Sequence, residues 1–161
     1  MNSKIYTTNP YFTKMATTGN GKFLIGSKKG EIRLFDKLGK KAKTLLPGLG
    51  DEIIGIDVTY SGHWIIATTP YYLLVIPTLF SETKNGFDYQ MGKEKPHPWW
   101  LTLATHDKAK FGLSNQKFSK ATFNNGQTNW DTQIVTSIGK YVVTWKLKDI
   151  KKGNLALYEI K

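Results

Sequence analysis

Three histidines, a scatter of aspartates and a long series of lysines are the residues with which this chain could do chemistry. His63, His97 and His106 stand apart, none with a neighbour at H-x-x-x-H or H-x-E spacing, so no metal-ligand set is built. His63 follows Ser61-Gly62 at a turn, where structural packing explains it, and His97 lies between Pro96 and Pro98. Asp36, Asp51, Asp57 and Asp131 invite a carboxylate-pair reading, but they fall at scattered positions. A structural hydrogen bond to a turn accounts better for Asp36 than general acid–base work does. There is no cysteine, which removes a thiol nucleophile, a Cys-based zinc site and a disulfide framework. No G-x-S-x-G elbow occurs. Gly19-Asn20-Gly21 lacks the further glycine and the helix of a phosphate loop, and reads as a hairpin turn. The expectation is a non-enzymatic chain with no catalytic residue, cofactor or metal.

The residues with binding character are more promising. The net charge is +11 with pI ≈ 9.7, which favours acidic partners: an acidic protein, nucleic acid or an anionic membrane surface. Only Arg33 breaks the lysine series, and base readout leans on arginine forks, so docking on nucleic acid would be unspecific. Lys28 and Lys29 occupy one tight turn; Lys37, Lys40, Lys41 and Lys43 follow one strand later, with Arg33 between. The expectation is that all of them lie toward one rim of one sheet, within a Debye length of about 8 Å. The plain alternative is a solvated outer strand whose lysines discourage edge pairing. A second cluster, Lys146, Lys148, Lys151 and Lys152, reads as a solvated turn. Pro47, Gly48, Gly50 and Asp51 form a glycine-rich connection that turn geometry explains; its functional reading is a loop on a rigid scaffold that touches a partner. Trp99 and Trp100 are adjacent on a strand, so one points to the core and the other to an interface or a covering loop.

These residues hang on a strand-period pattern. Hydrophobic content of 40% and aromatic content of 13% indicate a globular chain. The apolar runs, such as Tyr71–Ile76, are too short to span a bilayer, and Met1–Tyr11 has no apolar leader core. A cytoplasmic location is expected, and a nuclear one also fits. Phe12–Thr18, Lys22–Ser27, Glu31–Asp36 and Lys41–Leu46 read as four strands separated by turn residues. The pattern repeats in Ile53–Thr59, His63–Thr69 and Tyr71–Ile76, about 40 residues on, the period of a four-stranded propeller blade. A third copy reads as Trp99–Thr105, Asp131–Ser137 and Tyr141–Leu147. Phe80–Pro98 breaks the period and reads as an outer strand near Phe87–Gly92 plus a long loop. Residues 108–130 read as a blade insertion with one short strand around Phe118–Phe123, and Asp149–Gly153 as a helical turn. The fold class expected is all-β: a partial WD-like β-propeller of about three four-stranded antiparallel blades in a single domain. Blades are placed at residues 12–46, 53–92 and 99–161, with 1–11 a tail or closing strand.

GEIRLFDKLGKKAKTLLPGLGDEIIGIDVTYSGHWIIAT, Gly30–Thr69, resembles the C-terminal propeller of the vacuolar import and degradation protein twenty-seven family. TQIVTSIGKYVVTWKLKDIKKGNLALYEIK at the end of the chain is similar to that family's last segment, and KPHPWWLTLATHDKAKFG is a looser match. Phe35 stands where the family usually has tyrosine, and Glu52 where it has proline. The resemblance implies a protein-interaction scaffold in intracellular trafficking or vacuolar import and degradation. It also implies a longer chain with a fuller propeller. Three blades alone leave raw sheet faces, whereas propellers close with about four to eight. The missing blades are expected from a longer chain, a second copy or a partner.

Overall fold

The computed structural model describes residues 11–93, 95–124 and 132–161. The first sheet holds β1 (Phe12–Thr17), β2 (Phe23–Ser27), β3 (Ile32–Phe35) and β4 (Thr44–Leu46). The second holds β5 (Gly55–Val58), β6 (Trp64–Thr68), β7 (Leu73–Pro77) and β8 (Trp99–Leu101). After helix α1 (Thr105–Lys110), the third holds β9 (Thr122–Asn124), β10 (Gln133–Ile138), β11 (Tyr141–Lys146) and β12 (Tyr158–Ile160). Helix α2 (Leu147–Lys151) bridges the last two of these strands. Every sheet is an antiparallel meander in sequence order, and the first strands β1, β5 and β9 neighbour one another. Three four-stranded blades therefore radiate from a common axis, as the repeat implies.

The strands are where they are because each central hairpin is local. β-branched and aromatic residues are frequent along β2–β3, β6–β7 and β10–β11, and short turns close them, bearing Gly30 in the first, Pro70 in the second and Gly139 in the third. The core lies between blades rather than within one. Leu24, Ile32 and Leu34 of blade one meet Ile56, Ile65 and Ala67 of blade two. On the other side, Ile66 and Val75 of blade two meet Ile134, Val143 and Trp145 of blade three. Strands β6 and β7 are thus covered on both faces, which explains their nearly unbroken apolar sequence.

Four expectations change. Trp99–Leu101 pairs with β7 and is the outer strand of blade two, not the first strand of blade three. Phe87–Gly92 is not a strand: Phe87 and Met91 are buried between blades one and two, so residues 78–93 form a wedge in that seam. Thr44 Oγ1 holds the wedge by donating to the Gly86 carbonyl at 2.7 Å. Within 108–130, the only described strand is β9, the innermost of blade three, and α1 precedes it; Phe118 makes a single bridge to Ile138. Helix α2 begins two residues before the expected turn at Asp149 because Leu147 and Ile150 are buried against blade three. Asp131 and nearly all of residues 1–11 lie outside the described residues.

Candidate functional site

The connection from β4 to β5 and the β2–β3 turn are locked together by close backbone approach. The Gly50 N–H donates to the Lys29 carbonyl at 3.2 Å, and the Ile53 N–H to the Ser27 carbonyl at 3.1 Å. A methyl on Gly48 would overlap the Lys29 carbonyl, and one on Gly30, whose φ is +86°, would lie 2.7 Å from the Asp51 carbonyl. Only glycine fits such contact. The loop Pro47–Asp51 is therefore rigid at its base, while Leu49 at its tip is exposed.

Asp51 carries the loop onto blade two. Its carboxylate accepts a 2.7 Å hydrogen bond from the Tyr72 hydroxyl. Burial, and then the Asp51 carboxylate, pushes the Tyr72 phenol up to about 12. The Tyr72 ring stacks on Trp100 at a centroid distance of 3.9 Å, and Trp100 remains 47% exposed. Trp100 pairs with Leu74 across the β7–β8 ladder, so it stands on the face of blade two that looks toward blade one. Between that face and the Pro47–Asp51 loop runs a cleft of about 370 Å³ floored by Ile32, Leu46, Leu74 and Ile76. Lys93, Lys95 and the Pro96-His97-Pro98 run close its far side. Lys29 and Pro47 line an adjoining cleft that shares Lys95.

Of the residues singled out in the sequence, Pro47 lines this cleft, Lys29, Gly48 and Gly50 line the adjoining one with it, Asp51 and Trp100 are joined beside them through Tyr72, and exposed Lys28 sits in the same turn as Lys29. Trp99 points the other way, against Trp64 at 5.5 Å on the seam with blade three. Arg33 faces away from blade two and reaches Glu31 at 3.3 Å. The expected single basic rim does not exist. Lys28 and Lys29 are in the β2–β3 turn, whereas Lys37, Lys40, Lys41 and Lys43 are in the β3–β4 turn at the opposite end of the strands. Successive turns of a meander alternate between rims, so one intervening strand separates these lysines rather than joining them. Tyr72 and the Pro96–Pro98 wall were not singled out in the sequence; a tyrosine in an apolar strand carries no signal that its hydroxyl ties two blades.

Among the described residues the acid–base candidates do not assemble. His63, His97 and His106 are exposed and far apart in the chain, and Asp57 accepts from the Phe123 N–H at 2.9 Å, joining blades two and three. Asp36 lies beside Asp88. Burial pushes the Asp88 carboxyl up, but hydrogen bonds from Lys22 and Asn85 outweigh it and hold it below the usual carboxylate range.

A family model, the VID27 C-terminal WD40-like domain, matches residues 1–161. The chain belongs to this family. It is 41% identical, over 98% of its length, to vacuolar import and degradation protein 27 of Schizosaccharomyces pombe, and spans 21% of that relative. It is 35% identical, over 92% of its length, to the protein of the same name from Saccharomyces cerevisiae, and spans 20% of it. Among solved structures, the β-propeller domain of Cps50 (Swd1) from Myceliophteria thermophila superposes with a TM-score of 0.61 at 14% identity. That likeness covers 93% of this chain and 43% of the propeller, and shows the WD40-type fold. No helix among the described residues is long and apolar enough to cross a membrane.

Proposed function

We propose that this chain is a non-catalytic protein-interaction scaffold that serves intracellular trafficking, in the vacuolar import and degradation its relatives are named for. The observation that carries the reading is the groove between blades one and two. It combines an apolar floor and a loop fixed by glycine contacts, with an exposed stacked tryptophan on the same face of blade two, which is how rigid folds present partners with pre-ordered surfaces. Both walls come from this chain, so the groove needs no further blade to exist. A cytoplasmic site of action follows from the reading, and the partner is a protein with acidic character, given the net charge of +11.

The test is a chimera of the fission-yeast relative whose matched segment is replaced by this chain. Delivery to the vacuole of a fluorescent cargo that depends on the relative is the readout. The wild-type chain should support delivery, and Leu49→Asp combined with Trp100→Ala should abolish it while lowering the melting temperature by no more than about 4 °C. Lys41→Glu, at the opposite rim, should leave delivery intact. Delivery that survives the groove substitutions would overturn the reading.

A second reading is a basic module docking on RNA, ribonucleoprotein or an anionic membrane. The exposed lysines at both rims favour it. It predicts affinity for RNA or anionic vesicles that falls steeply with salt, because phosphate neutralisation releases counterions. The scaffold reading predicts partner binding that persists at high salt.

A further inference from the structure

Two clefts meet in the groove between blades one and two, and Pro47 and Lys95 line both. The first, of about 370 Å³, has the aliphatic floor of Ile32, Leu46, Leu74 and Ile76. It is at the small end of ligand cavities, with room for one or two side chains. One turn of an α-helix, about 5.4 Å long and at least about 10 Å across, would overfill it. An extended segment can insert a single side chain there and run on over the surface, because its side chains alternate in direction. The second cleft is flanked by Lys29 and Lys95.

The charges around the two clefts do not cancel. Among the described residues, Lys29, Lys93 and Lys95 have no ion-pair partner. Glu31 is the one described acidic residue that lines either cleft, and its carboxylate reaches Arg33 at 3.3 Å. The neighbouring Asp51 carboxylate is turned to the Tyr72 hydroxyl. The Lys95 ammonium donates to the Gly92 carbonyl at 3.3 Å, and two of its three N–H donors remain for a ligand. The Lys29 backbone is pinned by the Gly50 N–H, so its side chain projects from a fixed point. An apolar slot thus adjoins a cationic one on a rigid frame.

We propose that the groove takes an extended, acidic peptide segment of a partner protein. A bulky aliphatic side chain of that segment enters the cleft floored by Ile32, Leu46, Leu74 and Ile76. An aspartate or glutamate within two residues of it lies between Lys29 and Lys95. This rests on the scaffold reading and narrows its partner to a short linear motif. A nucleic acid would gain from the lysines but leave the aliphatic floor uncovered, and a neutral peptide would do the reverse. With one carboxylate against two lysines, the aliphatic side chain supplies most of the affinity. Binding therefore weakens with salt but persists, unlike docking on a run of phosphates.

The test is selection of random octapeptides displayed on phage, with the fission-yeast chimera as bait. The peptides held should carry an aliphatic residue with aspartate or glutamate within two positions. Lys29→Glu plus Lys95→Glu should weaken them at least about tenfold, since like charges facing each other across an interface are costly. A fresh selection on that variant should return the aliphatic residue beside lysine or arginine instead. Lys37→Glu plus Lys40→Glu makes the same charge change at the opposite rim and should alter neither result. Peptides that need Leu49 and Trp100 but ignore the reversal at Lys29 and Lys95 would overturn the motif and leave the groove as a partner site. Peptides indifferent to both pairs, or weakened equally by the reversal at Lys37 and Lys40, would overturn the motif and the groove as its seat. Failure to enrich any motif would overturn the proposal alone, because delivery in the chimera measures the scaffold reading separately. A poly-uridylate oligomer that binds more tightly than every selected peptide, and is lost with Lys29→Glu plus Lys95→Glu, would also overturn it and assign the groove to nucleic acid.

Discussion

The two seams of this molecule use the same tie and end with different surfaces. In each, an aspartate in the connection that leads into the next blade accepts a hydrogen bond from a tyrosine of that next blade: Asp51 from Tyr72, and Asp107 from Tyr158. In each, burial and the carboxylate together raise the tyrosine above its ordinary value. Beyond the tie they diverge. The seam between blades two and three is filled by Trp145, Phe118 and Leu113, with Leu147 and Ile150 of α2, and keeps a cleft of about 310 Å³ only where the Thr59–Trp64 turn meets Thr132, Leu147 and Lys151. The seam between blades one and two is filled inward by Phe87 and Met91 of the wedge, and its outer part is left as the groove. The lesson is that the same tie joins both pairs of blades, while the length and composition of the inserted segments decide what lines the opening each seam leaves.

The largest effect should come from the core of the seam between blades two and three. Trp145 is fully buried, and Trp145→Ala should cost about 3–5 kcal/mol in urea unfolding, whereas the half-exposed Trp100→Ala should cost about 1 kcal/mol or less. Equal losses would erase the distinction between a seam core and the rim of the groove. Phe87→Ala should cost about 3–4 kcal/mol and should speed hydrogen exchange in residues 78–93. Exchange unchanged there would mean the wedge is held by something other than its apolar anchor.

The central hairpins were legible in the sequence because everything that specifies them is local: Phe23–Phe35, Trp64–Pro77 and Gln133–Lys146 each carry their own β-branched and aromatic residues and turn. The outer strand of blade one was legible too, at Lys41–Leu46, but those of blades two and three were not placed. β8 is three residues long and pairs with β7 only after the 78–98 excursion, so its sequence reads as easily as the start of something new. Phe87 and Met91 mimic a strand because they are buried, although burial here comes from wedging. α1 buries no residue fully and so leaves no apolar period to read. The groove loop was visible from its glycines; its partner Tyr72 was not, since the pairing with Asp51 is set by blade spacing rather than by local pattern.

Smaller effects separate the parts of the groove. Gly48→Ala should destabilise by about 1–3 kcal/mol, because the neighbour it meets is backbone and cannot swing aside. Tyr72→Phe and Tyr158→Phe should each cost about 1–3 kcal/mol, the range for a hydrogen bond to a charged acceptor. A large inequality would show that the two ties are not equivalent. The Tyr72 phenol also predicts an alkaline limb. Its folded value of about 12 lies above the unfolded one near 10, so its contribution is complete below pH 10 and is lost as pH rises through about 12. Tyr72→Phe should flatten that limb. The smallest effect is acidic: Asp88 is held below its usual range, so its contribution is present above the unfolded value and fades as pH falls through the folded one. Lys22→Met should weaken that dependence.

The central claim is that the groove between blades one and two is where a protein partner sits. Site-specific photocrosslinking in living yeast tests it most directly, with the crosslinker placed at Leu49 in the groove loop or at Lys41 on the opposite rim. The account predicts a discrete protein adduct from position 49 that disappears on adding Trp100→Ala, and none from position 41. Adducts from position 41 alone, or adducts from position 49 that ignore Trp100→Ala, would contradict it.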